Sequence, residues 1–115
     1  MKKQTKKSIT AKLDKVCSQI VRKGICIKCG ESQYDKLQCA HIFSRTYRSV
    51  RWDFLNLVCL CTSCHFWSHR NPLLFNDLVE NYLSKTQYLQ LKSRATSIKK
   101  WSLQEMIDLY NSLIK

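Results

Sequence analysis

Apolar residues near the start of the chain, Ile9, Leu13, Val16 and Ile20, recur at steps of four, three and four. That spacing puts them on one stripe of a helix, and Gly24 stands where the helix is expected to stop. Residues 36–43 (KLQCAHIF) and 55–60 (LNLVCL) read as two short strands. Between them, residues 44–53 (SRTYRSVRWD) form a basic loop that carries aromatic side chains. After the second strand, Thr62 or Ser63 is placed to cap a helix running through Cys64, His65 and His69. Asn71-Pro72 opens another helix, with proline at its first position. Its expected buried face is Leu74, Phe75, Leu78, Val79 and Tyr82. A further helix covers 85–96 with Tyr88, Leu91 and Ala95 inward. The last begins at Ser102, where Ser102 and Glu105 form a capping box and Trp101 is placed to staple onto Met106. Ile107, Tyr110 and Leu113 continue that stripe. The expected architecture is α+β in three stretches: an N-terminal helix within 1–24, a core over 25–71 and a helical extension over 72–115.

At 115 residues and 13.6 kDa, these stretches are expected to share a single structural domain. Hydrophobic residues at 44% and charged residues at 24% favour folding over disorder. No apolar run is long enough to span a bilayer. The opening MKKQTKKSITAKLDK is basic but lacks the apolar segment of a signal peptide. A cytoplasmic protein is therefore expected.

Charge adds a partner. Twenty basic against eight acidic side chains give +12, which points to a polyanion. Residues 1–23 hold eight of the basic groups and one acid, Asp14, for a local net of +7. Lys12, Lys15, Arg22 and Lys23 are candidate phosphate contacts, or simply the solvated face of the helix. A membrane surface is the weaker alternative, since this segment has no aromatic residue to sit in an interface.

Seven cysteines in a short chain raise the question of disulfides. The odd number and the absence of an export signal argue against them. Spacing says more: Cys26/Cys29 and Cys61/Cys64 are two C-x2-C pairs, each able to offer two thiolates from one turn. Together they would make a tetrahedral structural Zn²⁺ site. The motif Cys26-Ile-Lys-Cys-Gly30 reads as a zinc knuckle whose glycine relieves a tight turn. The pairs are 31 residues apart, against about 15–20 in a simple zinc ribbon, so something extra is built between them. Cys17, Cys39 and Cys59 have no such spacing; Cys39 and Cys59 are expected to pack as small hydrophobes on the two strands.

In and just after that insert come His41, Asn56, His65 and His69, spaced H-x14-N-x8-H-x3-H. His65 and His69 stand at i and i+4 on a predicted helix, so both rings leave one face and suit a divalent cation.

The region 26–72 resembles an HNH, or ββα-metal, endonuclease of the four-cysteine zinc variety. Its histidine and asparagine spacing is similar to that of colicin-type nuclease toxins. The wider string, Cys39-Ala-His-Ile-Phe-Ser-Arg45, Arg51-Trp-Asp53, Asn56, Cys61-x2-Cys64-His65 and Asn71-Pro72, more closely resembles phage NinG/Rap-type recombination endonucleases. The motifs cover roughly 40% of the chain; the helices over 72–115 resemble the family's tail only through Asn-Pro and an amphipathic helix.

The resemblance implies hydrolysis of a DNA phosphodiester, in duplex or branched DNA, with one metal ion. It maps the general base onto His41, which would activate water, and makes Asn56 the holder of the His41 ring. His65 and His69 would hold the cation, Mg²⁺ or Mn²⁺, with imidazole ligands shifting preference toward Mn²⁺, Ni²⁺ or Zn²⁺. Many members place Asp or His before the base; here the residue is Ala40. Either phosphate and waters complete the cation's shell, or Cys39 or Asp53 reaches in, or activity is lost and the chain is a zinc-containing DNA-binding module. Arg45, Arg48 and Arg51 recur at steps of three with Tyr47 and Trp52 interleaved. They are either a solvated loop around one buried tryptophan or a phosphate clamp beside the metal. Asp53 is placed to pair with one of them.

Overall fold

The computed structural model describes residues 4–115; residues 1–3 of the expected N-terminal segment 1–24, with Lys2 and Lys3, lie outside the described residues. Among the described residues, five helices and one two-stranded antiparallel sheet give an α+β chain.

Helix α1 spans Lys6–Val21. Its start is a reciprocal cap: Ser8 N donates to Thr5 Oγ1 at 3.1 Å and Thr5 N to Ser8 Oγ at 3.0 Å. Its stripe is rotated from the expected one. Ile9, Leu13 and Cys17 are buried, while Val16 and Ile20 are half-buried. The Cys17 thiol is small enough to fill the slot between helix and sheet. The helix closes at Arg22, and Gly24 follows in the turn without a left-handed backbone.

Strands β1 (Leu37–His41) and β2 (Leu57–Cys61) pair with Leu37 opposite Cys61, Cys39 opposite Cys59 and His41 opposite Leu57. Strand β2 is buried along its whole length because α1 and α2 both pack on the sheet. Its unbroken LVCLC run is what a strand covered on both faces requires. Helix α2 (Thr62–Arg70) follows directly. Its cap is neither Thr62 nor Ser63 but Cys61, whose sulfur accepts from Cys64 N at 3.4 Å. Two hydroxyl residues stood next to a buried thiol at the end of the strand, and the thiol took the cap.

Helix α3 (Pro72–Tyr82) starts on proline as expected. Val79 is buried and Phe75 and Leu78 are half-buried, but Leu74 and Tyr82 are exposed. The helix rests on the rest of the chain along a narrow edge, and Leu83 just beyond its end supplies the remaining buried contact. Helices α4 (Lys85–Ala95) and α5 (Leu103–Leu113) carry capping boxes at Ser84/Gln87 and Ser102/Glu105.

Three apolar clusters result. Leu37, Ala40, Val58 and Leu60 pack around Cys26, Cys61 and Cys64. Ile9, Leu13, Cys17, Trp52 and Leu57 join the first helix to Met106 of the last. Trp101 packs in this second cluster and meets Trp52 edge-on at 5.3 Å. Val50 gathers Val79, Leu83, Leu91 and Ala95. The long loop between the strands thus contributes to two cores, through Val50 and Trp52. Among the described residues, no helix is long and apolar enough to cross a membrane.

Candidate metal centre and histidine cleft

The sulfurs of Cys26, Cys29, Cys61 and Cys64 all lie within 4.8 Å of one another. A tetrahedral zinc ion with bonds near 2.3 Å sets sulfur–sulfur edges at about 3.8 Å, and Cys29 and Cys61 are 3.7 Å apart. A disulfide needs about 2.05 Å, and every cysteine is a free thiol. Local backbone builds the knuckle. Gly30 takes φ +82°, a left-handed turn suited to glycine, and its N–H donates to Cys26 O at 2.9 Å. Ile27 N donates to Cys59 O at 3.0 Å, which ties the knuckle to β2.

Electrostatics in the quartet ask for a cation. Burial raises Cys26, but hydrogen bonds from the backbone at Cys29, Cys61 and Lys28 outweigh it and bring the thiol down to about 6. Burial and the sulfurs of Cys61, Cys26 and Cys29 push Cys64 up. One thiolate forms readily and then opposes its neighbours, a conflict that a divalent ion resolves. The four residues thus suit a metal ion such as zinc.

The three histidines come together elsewhere. Strand β1 ends on His41, and α2 presents His65 and His69 one turn apart with ring centroids 4.9 Å apart. All three line one cleft of about 540 Å³, with Ala40, Cys39 and Arg45 on the strand side and Ser68, Pro72 and Phe75 on the helix side. Gln38 Oε1 accepts from His65 Nδ1 at 2.7 Å, so the proton sits on Nδ1 and the Nε2 lone pair is free. Burial lowers the pKa of His65, and the charges of His69 and His41 lower it further. Burial also lowers His41; the Arg51 carbonyl opposes this and the Arg45 guanidinium adds to it.

Comparison of the chain with known family models, curated proteins and solved structures finds no match. The chemistry must therefore be read from the site itself.

Asn56 makes no hydrogen bond to the His41 ring among the described residues. It is fully buried; its amide accepts from Phe43 N at 2.7 Å and donates to Phe43 O at 2.9 Å and Val50 O at 3.1 Å. Its role is to close the loop between the strands. The His41 ring is held instead by Arg51 O, 3.2 Å from Nε2. A carbonyl only accepts, so Nε2 carries the proton and Nδ1 is the basic nitrogen.

The arginines separate in the same way. Arg51, with 11% of its side chain exposed, is turned inward: its Nε and Nη2 donate to Asp14 at 3.1 and 2.7 Å. Arg45 reaches the same carboxylate at 3.1 Å but remains mostly exposed at the cleft rim. Arg48 is exposed and lies outside the cleft, its carbonyl accepting from Trp101 Nε1 at 2.9 Å. Asp53 pairs with none of the three. It accepts from Arg94 at 2.7 Å and from Leu55 N at 3.0 Å, which also removes it as a ligand for a cation in the cleft. Of the basic residues expected on α1, Lys12 and Lys15 are exposed, as is Lys23 beyond its end. Arg22 instead stacks over Tyr34 at 4.1 Å and donates to its carbonyl at 3.2 Å.

Asp14 was not singled out by sequence reasoning. The available signal was its isolation: the sole acid among eight basic residues at the start of the chain. Gln38 and Ser68 offered no signal, since each is recognisable only once β1 and α2 are side by side.

Proposed function

We propose that the chain is a metal-dependent endonuclease of the HNH, or ββα-metal, type that hydrolyses DNA phosphodiester bonds. On this reading it is a phage protein akin to the NinG/Rap-type enzymes and serves recombination, replication or genome processing. The observation that carries the proposal is the meeting of His41, His65 and His69 in one cleft between the strand pair and the helix that follows it. Four cysteines suited to zinc frame that strand pair and helix.

His41 takes a proton from water at Nδ1 as the water oxygen attacks phosphorus in line with the departing 3′ oxygen. The bond from phosphorus to that oxygen breaks, and solvent water protonates the alkoxide. The low pKa of His41 keeps it neutral and ready at neutral pH. His65 and His69 would hold the cation, through Nε2 in the case of His65. A bound divalent ion supplies charge stabilisation at the phosphoryl group and the leaving oxygen. Among the described residues, the cleft lining contains no carboxylate. The protein donors are thus the imidazoles and the Cys39 thiol, which burial pushes up to about 11; imidazole ligands favour Mn²⁺, Ni²⁺ or Zn²⁺ over Mg²⁺ and leave positions for waters and phosphate. Arg45 at the rim binds the DNA phosphate, with Arg48, Lys12, Lys15 and Lys23 extending the basic surface. Phosphate contacts do not read sequence, so low sequence specificity or selection of DNA shape follows.

Ala40 favours a second reading. It is 2% exposed in the cleft wall where many relatives of this type carry a ligand, and its loss fits a zinc-containing DNA-binding module without catalysis. One experiment separates the two. Zinc-loaded protein is incubated with supercoiled and four-way-junction DNA and Mg²⁺, Mn²⁺ or Ni²⁺, beside His41→Ala. Cation-dependent nicking that His41→Ala lacks supports the enzyme. Salt-sensitive binding with no nicking, or equal nicking by both proteins, sinks it.

A further inference from the structure

Asp14 makes a connection that the nuclease reading leaves unexplained. It lies on α1, where it lines a small pocket with His41, Arg45, Arg51 and Trp52, and four hydrogen bonds converge on it. Arg51 contributes two, at 3.1 and 2.7 Å, Trp52 Nε1 one at 2.9 Å, and Arg45 one at 3.1 Å. The carboxylate therefore grips both side chains of the Arg51–Trp52 dipeptide. The main chain of that dipeptide carries the oxygen that meets His41 Nε2 at 3.2 Å. The planar fork of an arginine on a carboxylate fixes orientation as well as distance. Here the fork is mostly shielded from water, whereas the Arg45 arm is exposed.

We propose that Asp14 is a positioning residue for His41. By clamping Arg51 and Trp52 it holds the Arg51 carbonyl against Nε2, selecting the ring tautomer that leaves Nδ1 basic toward the cleft. This rests on the reading of His41 as the base. A carbonyl that drifts away loses its hold on the ring, which then populates both tautomers and both orientations. Substrate contacts at Arg45 do not require that hold, so the effect belongs in kcat rather than KM. The carboxylate is also what brings the N-terminal helix to bear on the site. It lies one residue beyond Leu13 on the helix that packs against α5.

The test reads the tautomer directly. Zinc-loaded protein labelled with ¹⁵N in its histidines is examined by NMR above the titration range of His41, whose signal is assigned from His41→Ala. The wild type is expected to show the Nε2–H form. Asp14→Asn is expected to show a mixture, and Asp14→Glu, which keeps the charge, partial recovery. Arg45→Ala, which removes only the exposed arm, should leave the tautomer unchanged. In cleavage assays Asp14→Asn should lose roughly 10–100-fold in kcat, the usual cost of losing a partner that orients a site histidine, with KM moved less than about twofold. An Nδ1–H form in the wild type overturns the proposal. So does a folded, zinc-replete Asp14→Asn with the wild-type tautomer and kcat. Should that variant fail to fold, the wild-type tautomer and the Asp14→Glu protein still decide. A wild type that cuts no DNA refutes the nuclease, while the ring signals test the clamp independently.

Discussion

Asn56 and Phe43 are joined twice. The Asn56 side-chain oxygen accepts the Phe43 N–H at 2.7 Å, and its amide nitrogen donates back to the Phe43 carbonyl at 2.9 Å. The amide imitates a strand partner at the point where β1 ends, and the bond to Val50 O at 3.1 Å extends the closure across the loop. All of it happens at a residue with no solvent exposure. Asn56→Ala would leave the half-buried Phe43 N–H and carbonyl and the buried Val50 carbonyl without this partner. At roughly 1–3 kcal/mol for such a group, the expected destabilisation is about 2–4 kcal/mol. Thermal melting with zinc present should show a clear fall in Tm. A variant that melts like the wild type and only cuts more slowly would return Asn56 to a direct role at the ring.

Loss of one cysteine of the quartet should cost more than loss of any single apolar contact. Structural zinc contributes about 10–16 kcal/mol of apparent binding energy, comparable with or larger than the total stability of about 5–15 kcal/mol typical of a domain. Cys61→Ser is expected to copurify without stoichiometric zinc and to lose cooperative melting, since Cys61 also caps α2. Metal content and circular dichroism check this. Cys17→Ser makes the control: its thiol packs between helix and sheet, where burial raises its pKa to about 12. Zinc content should be unchanged there.

The elements were legible where pattern and chemistry agreed. The second strand, expected over 55–60 and found at Leu57–Cys61, proline at the start of α3 and the capping box at Ser102 follow from local rules. The cysteine quartet was legible because two sulfurs in one turn have few other uses. What escaped depended on geometry between distant segments. The resemblance assigned Asn56 to the ring, but a buried amide is drawn to the nearest unpaired backbone, and at the end of a strand that backbone was Phe43. Spacing alone made Arg45, Arg48 and Arg51 equivalent. A single aspartate 31 and 37 residues upstream distinguished Arg45 and Arg51 from Arg48. The helical spacing of Leu74, Phe75, Leu78, Val79 and Tyr82 predicted a broader buried face on α3 than its neighbours cover.

Arg45 and Arg51 should therefore give opposite phenotypes. Arg45 is mostly exposed and its pair with Asp14 is weakly held, so a phosphate can take the guanidinium. Arg45→Ala is expected to keep its melting temperature and to weaken DNA binding. Its log–log salt slope should become shallower by about 0.9, one phosphate contact fewer on duplex DNA. Arg51→Ala should instead lower Tm and leave the slope unchanged, since its guanidinium is held inward on Asp14. Binding titrations at several salt concentrations, with melting curves for both variants, check the pair. Equal slope changes would show that Arg51 leaves Asp14 when DNA arrives.

The pH dependence of cleavage should carry the signature of a buried imidazole. Burial, with the Arg45 charge, lowers the His41 pKa from the ordinary 6.5. A base works in its neutral form, so kcat/KM should rise with pH through a midpoint below 6.5 and be level at neutrality. Stability moves the same way. The unfolded chain binds the proton more readily, so the contribution of His41 is complete above its unfolded pKa and is lost as pH falls through the folded value. On the proposed function, protonation of His65 as a cation ligand also lowers activity in acid, and the two causes are separable. Raising the Mn²⁺ concentration offsets proton competition at His65 and shifts that limb to lower pH, but leaves a limb due to His41 in place. The residual activity of His41→Ala should lack the metal-independent limb and lie about 10²–10⁴-fold below the wild type at neutral pH. A metal-independent midpoint at or above 6.5 would mean that the ring is solvated during turnover and that the Arg51 carbonyl does not hold it.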